Sequence, residues 1–354
     1  MNCTKLIFSF FFAFWIQSIA IAQTDSVIQA KIIDDGSQDA EKFYNSGISN
    51  FSLKKYTEAI SDFDKAISLK PDFEKAYYNR GATKLELAQF KEAISDFDVS
   101  LTITQNSESY FSRGQAKYAL NDKEGAIADY SKAIELNSSH AQAFYYRGGI
   151  KFENLDYKGA VEDFTLAIGA KYDYAYAYND RGSSKRQLED LDGAILDYKK
   201  ALLINPEMAF AYNNLASVKR KKGDFKGAIE DYTLAINKQK DYYVAYNNRG
   251  SAKFDSGDFK GAIEDFSKAI QIKPDYVFAF NNRASAKLKI LDYKGCVDDC
   301  NAAIKINSVF GDAYLNRGIA KEMLKDFLGA CADWNKAIEL GVEVARNYNG
   351  HCEK

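Results

Sequence analysis

Hydrophobic and polar positions along this chain recur with a fixed period. In Tyr246–Pro274, YNNRGSAKFDSGDFKGAIEDFSKAIQIKP, the residues Tyr246, Gly250 and Phe254 fall four apart on one face of a helical pattern. A turn at Ser256–Asp258 follows, where Gly257 tolerates a positive φ. A second helical pattern carries Ala262, Phe266 and Ala269 inward and ends before Pro274, which lacks the donor for another turn. Counterparts of Gly250 stand at Gly47, Gly81, Gly114, Gly148, Gly182, Ala216, Ala284 and Gly318. Each step is 34 residues except the 33 from Gly81 to Gly114. Such a period predicts a stacked array of helical hairpins, here nine.

With residue 243 as position 1, position 4 is aromatic in every unit, from Phe43 to Tyr314. Position 20 is alanine except at Cys296, position 24 is aromatic except at Cys300, and position 27 is alanine except at Ser100. Pro71, Pro206 and Pro274 all occupy position 32. This set of positions resembles the tetratricopeptide repeat. The resemblance covers residues 40–341 and implies an all-α, right-handed superhelical solenoid of nine helix-turn-helix repeats, with the first helix of each (helix A) lining a concave groove. It further implies protein or peptide binding without chemistry.

The flanks read differently. Residues 1–22 have the form of a signal peptide: Lys5, an apolar run Leu6–Ile16, then Ala20 and Ala22 at the small-residue positions of a cleavage site. The run is short for a membrane span, so no stable transmembrane anchor is expected after cleavage. Residues 23–39 read as a polar linker and 342–354 as a short capping turn and tail. Export of a bacterial type is expected, to the periplasm or beyond the cell.

Charge changes the picture in two ways. Lys+Arg 47 against Asp+Glu 49 leaves no basic excess for nucleic acid as the main partner. Inside the repeats, position 23 is aspartate in all nine (Asp62 to Asp333), position 7 is arginine in seven and position 11 is lysine in eight. Nine equal constellations point to a repeated structural ion pair at the helix seams, because catalysis needs one distinctive arrangement.

Recognition is expected where helix A faces the concavity. Position 5 is Tyr44, Tyr78, Phe111 and Tyr145, then Asn179, Asn213, Asn247 and Asn281. Position 6 is asparagine at Asn45, Asn79, Asn214, Asn248, Asn282 and Asn316, and position 9 is serine at Ser183, Ser217, Ser251 and Ser285. A carboxamide carries a donor and an acceptor that match a peptide unit. A row of them can hold an extended backbone, while the aromatic positions and the position-2 residues Tyr176, Phe210, Val244 and Phe278 read side chains. The candidate groove residues are therefore Asn79, Asn179, Asn213, Asn214, Asn247, Asn248, Asn281, Asn282, Asn316, Tyr78, Tyr145, Ser217 and Ser251. The family's carboxylate clamp is not reproduced, since position 5 holds no lysine.

Beyond the leader the cysteines are Cys296, Cys300, Cys331 and Cys352. The first three replace small or apolar residues and read as buried thiols. In an oxidising compartment Cys331 and Cys352 are a candidate disulfide stapling the tail, although the spacing does not determine connectivity. Neither a zinc-type spacing nor a phosphate-binding loop occurs, and the two histidines, His140 and His351, accompany no nucleophile. No metal, cofactor, catalytic residue or small-molecule substrate is expected. The sequence thus reads as a non-enzymatic scaffold binding an extended peptide in its groove. The alternative is a structural component of an envelope or secretion assembly, bound through its outer faces.

Overall fold

The computed structural model describes residues 39–352. The expected signal peptide and nearly all of the linker lie outside the described residues. Those that are described contain eighteen α-helices and no strand. They form two compact units, divided after Lys171.

Unit 1 holds four hairpins: α1 (Asp39–Ser52) with α2 (Tyr56–Leu69), α3 (Glu74–Glu86) with α4 (Phe90–Ile103), α5 (Ser107–Ala119) with α6 (Lys123–Leu136), and α7 (Ala141–Glu153) with α8 (Tyr157–Ala170). Unit 2 holds five: α9 (Ala175–Gln187) with α10 (Leu191–Ile204), α11 (Ala209–Lys221) with α12 (Phe225–Lys238), α13 (Tyr243–Asp255) with α14 (Phe259–Ile272), α15 (Val277–Lys289) with α16 (Tyr293–Ile306), and α17 (Gly311–Met323) with α18 (Phe327–Glu339). Two 3-10 turns, Glu343–Asn347 and Asn349–His351, follow. Within each unit every helix packs on the one before it.

The periodic residues make the hairpins close. A Cβ on Gly250 would stand 2.8 Å from the Phe266 ring, so the position-8 glycine lets the aromatic of helix B lie against the backbone of helix A. Phe266 and Ala262 are fully buried there. Each turn places its position-15 residue in the left-handed region, from Ala88 (φ +57°) to Gly257 (φ +90°), yet only Gly223 and Gly257 are glycine at that position. The following residue caps helix B. From Asp122 to Asp326, seven aspartates accept a bond from the backbone N–H three residues on, as Asp258 does from Gly261 at 2.9 Å. This satisfies one of the helix's orphan donors.

The ion-pair ladder is structural and more buried than surface pairs. Arg249 donates Nε and Nη2 to the two oxygens of buried Asp265 at 2.9 and 2.7 Å, and Lys253 reaches the same carboxylate at 2.9 Å. Nη1 of Arg249 donates to Thr233 of the preceding hairpin at 3.0 Å, so the guanidinium also ties one repeat to the next. Equivalent links join Arg283 to Ser267 and Arg317 to Asn301, and in unit 1 Arg80 to Asp64 and Arg113 to Asp98.

Two hairpins depart from this arrangement; in the first, Ser46 and Asn50 donate to Asp62 at 2.6 and 2.9 Å. Leu215 takes the arginine's place on α11 and joins an apolar cluster with Tyr198, Met208 and Val218. Asp231 is left with Lys219 at 2.6 Å. Burial then raises its carboxyl above the ordinary value of 3.8, against the pull of Lys219. A folded pKa above the unfolded one makes the ionised form unfavourable in the fold, and that penalty disappears as the pH falls through the folded pKa. Asp231→Asn is therefore expected to raise the melting temperature at pH 7 by ~2 °C, with the gain shrinking at pH 4. Thermal melts at the two pH values check this, and a loss of stability at pH 7 contradicts it.

Candidate functional site

In unit 1 the aromatic half of the expected groove is largely turned inward. Tyr44 is buried against Phe63 and Phe73, and Asn79 donates Nδ2 to its hydroxyl at 2.8 Å. Tyr78 is half-buried beside Phe97, with its hydroxyl 3.5 Å from Ser112 Oγ. Tyr145 is buried against Tyr146 and Phe164. Burial raises the Tyr44 and Tyr78 hydroxyls to about 12, so both remain protonated donors.

Unit 2 holds the asparagine row, and its carboxamides bond to one another across the repeats. Asn214 donates to Asn179 Oδ1 at 3.1 Å, Asn248 to Asn213 at 3.0 Å, Asn282 to Asn247 at 3.0 Å and Asn316 to Asn281 at 2.9 Å. Every bond spans 35 residues, linking position 6 of one helix A to position 5 of the previous one. The carboxamides meet because adjacent A helices lie side by side, which turns position 6 toward the neighbouring helix. Asn179, Asn213, Asn214 and Asn247 are buried in this seam, as is Asn79 in unit 1. Asn248, Asn281, Asn282 and Asn316 are half-buried and keep access to solvent.

The serines are likewise occupied locally. Ser217 Oγ donates to Asn213 O at 2.9 Å and lies 3.0 Å from Tyr232 Oη, and Ser251 Oγ donates to Asn247 O at 3.0 Å. Each carboxamide has two N–H groups and two lone-pair sites, so Asn248, Asn281 and Asn282 keep capacity for a further partner, whereas Asn316, which also donates to Ser285 Oγ at 3.0 Å, keeps only its oxygen.

Beside this seam lies a hollow of about 440 Å³, lined by Tyr176, Met208, Ala209 and Phe210, with Glu207 and Lys238 paired at 2.5 Å near its edge. The Tyr176 and Phe210 rings stack 6.0 Å apart. A further aromatic run, Tyr243–Tyr276–Phe278–Phe310, has consecutive centroids 4.9, 5.6 and 5.6 Å apart. Position 2 marked Tyr176, Phe210 and Phe278 in the sequence. Tyr276 and Phe310, at position 34, were not singled out, because that position also holds His140 and Met208 and carries no strict pattern.

The candidate disulfide is present: Cys331 and Cys352 are joined across 21 residues. Cys296 and Cys300 are fully buried thiols on successive turns of α16, with sulfurs 3.9 Å apart. No group of three or more metal-ligating side chains is arranged to hold an ion among the described residues. Nor is any described helix long and apolar enough to cross a membrane.

Family models described as tetratricopeptide repeat match residues 175–208, 211–241 and 243–276, and one described as TPR repeat matches 49–87 and 114–154. The chain is a tetratricopeptide repeat protein. The TPR hairpin array is a protein-interaction fold. A TPR repeat-containing protein of Methanocaldococcus jannaschii is 28% identical over 99 residues, 28% of this chain, and the match spans only 18% of that relative's length. Among solved structures, the C-terminal part of a TPR repeat-containing protein from Cytophaga hutchinsonii aligns with TM-score 0.57 at 16% identity, covering 68% of this chain and 98% of that one. That likeness is one of fold alone. YrrB, described as a TPR protein with an unusual peptide-binding site, aligns at 24% identity and TM-score 0.44 over 54% of this chain and 95% of its own.

Proposed function

We propose that this TPR protein is a non-enzymatic scaffold of the bacterial envelope that holds an extended peptide segment along the A-helix face of unit 2. The carboxamide ladder carries this reading. Four inter-repeat steps bring eight asparagines into one line, and Asn248, Asn281, Asn282 and Asn316 within it still reach solvent. They can add a bond to a passing peptide unit, and the adjoining Tyr176–Phe210 hollow can take an apolar side chain. The leader-like residues 1–22 and the Cys331–Cys352 bridge support export, because disulfides persist in oxidising compartments.

Immobilised protein is expected to capture an envelope partner, and Asn248→Ala with Asn282→Ala to weaken that capture at least ~10-fold, at about 1 kcal/mol per hydrogen bond. Melting curves of the double variant separate lost binding from lost packing. Undiminished capture would favour the second reading, docking through the outer faces, for which the exposed Leu196 and Leu203 on α10 speak.

A further inference from the structure

The turn edge of the last two hairpins is apolar in a way the other turns of unit 2 are not. Phe327 and Leu328 open α18 at 62% and 88% exposure, and Met323 ends α17 at 52%. On the neighbouring turn Leu291 is 68% exposed. Helices α15 and α17 pack side by side, so their C-terminal turns share one edge of the unit. Ile290 and Leu324 complete the patch, although leucine recurs at their position in other repeats, as at Leu188.

Two observations separate this patch from the ordinary end of an array. Position 18, where Leu328 stands, is an exposed lysine in the three preceding repeats (Lys226, Lys260 and Lys294), each of which has a neighbour stacked after it. Stacking therefore does not cover that position, and Leu328 is not a face left bare by the missing next repeat. Leu291 occupies the left-handed turn site at φ +63°, where the two preceding repeats place Gly223 and Gly257. A leucine there has an unfavourable backbone and an exposed apolar side chain, as Leu155 of unit 1 also has at φ +64°.

We propose that this edge is a two-fold interface with a second copy of the chain. The charges around the patch choose the occupant. Lys289, Asp292 and Lys294 lie on one turn and Lys325 and Asp326 on the next, all exposed and both signs interleaved. Such a rim complements itself when a two-fold axis sets one turn against the other, as an isologous contact requires. An anionic lipid surface would be matched by a single sign instead. The exposed apolar area is on the order of several hundred Å², comparable to the ~800 Å² that each partner gives to a standard interface. The contact does not depend on the peptide-binding reading, since it uses neither the ladder nor the hollow.

Sedimentation velocity on the full chain tests the proposal. A monomer–dimer equilibrium is expected at concentrations up to about 100 µM. Leu328→Lys, which restores the residue of the three preceding repeats and so keeps the hairpin foldable, is expected to shift dissociation at least ~10-fold, with an unchanged far-UV spectrum. A chain that stays monomeric over the range would overturn the proposal. So would a dimer indifferent to Leu328→Lys, or a monomer that instead partitions onto phosphatidylglycerol vesicles.

Discussion

Asp265→Ala is expected to destabilise its part of unit 2 by about 3–5 kcal/mol, the cost of removing one partner from a buried ion pair. The effect comes from what remains. Arg249 keeps a guanidinium aimed at an empty site, Lys253 sits one helical turn away on the same face, and their two positive charges lose the carboxylate that joined them. Arg249 also holds Thr233 of the preceding hairpin, so the disturbance crosses the seam between α12 and α13. Urea unfolding followed by hydrogen exchange should show α11–α16 opening early, with the hairpins of unit 1 retaining their protection. Asp231→Asn supplies the internal control. Its carboxylate occupies the same repeat position without an arginine, and its neutralisation is expected to do no harm. Equal losses at both sites would mean that the ladder contributes through packing and not through charge.

The sequence displays the hairpins clearly because each repeat position answers to a local demand. A small residue at position 8 faces a ring at position 24, as Gly250 faces Phe266, and nine copies average out every local exception. The asparagines were legible as a stripe but not as a seam. Helical phase places Asn248 on a face of α13, yet whether that face meets solvent or the flank of α11 depends on how two hairpins lie together. The ladder was legible as an ion pair at the helix seams, but its depth was not, since Asp265 is buried by the stacking of its neighbours. The capping aspartates have a visible signature, Asp258 with Gly261 three residues on, but the bond between them depends on the backbone of the turn. Leu215 is the opposite case. A single missing arginine on α11 already marked the place where Asp231 would lose a partner.

Reduction of the Cys331–Cys352 bridge is expected to loosen the end of unit 2 by about 3 kcal/mol, the loop-closure contribution for a bridge of this span. The tail it holds does cover something. Tyr348 stacks on Trp334 with centroids 5.6 Å apart, Asn349 donates to Asn335 at 2.9 Å, and Ala345 is buried. Val342 lies close enough to Gly311 that a Cβ there would meet it at 2.5 Å, so the first turn of α17 is covered as well. An array loses its stabilising neighbour at each end, and this tail supplies a substitute for the last hairpin. Cys352→Ser should therefore raise amide exchange in α17 and α18 by roughly 100-fold while leaving unit 1 unchanged. Alkylation before and after reduction reads the same contact chemically. The native chain should resist labelling at Cys296 and Cys300, which are fully buried, and reduction should add two reactive thiols from the tail bridge. Exchange in α18 that ignores the loss of Cys352 would show that the Trp334–Tyr348 contact holds the tail unaided, and that the bridge is no support of the fold.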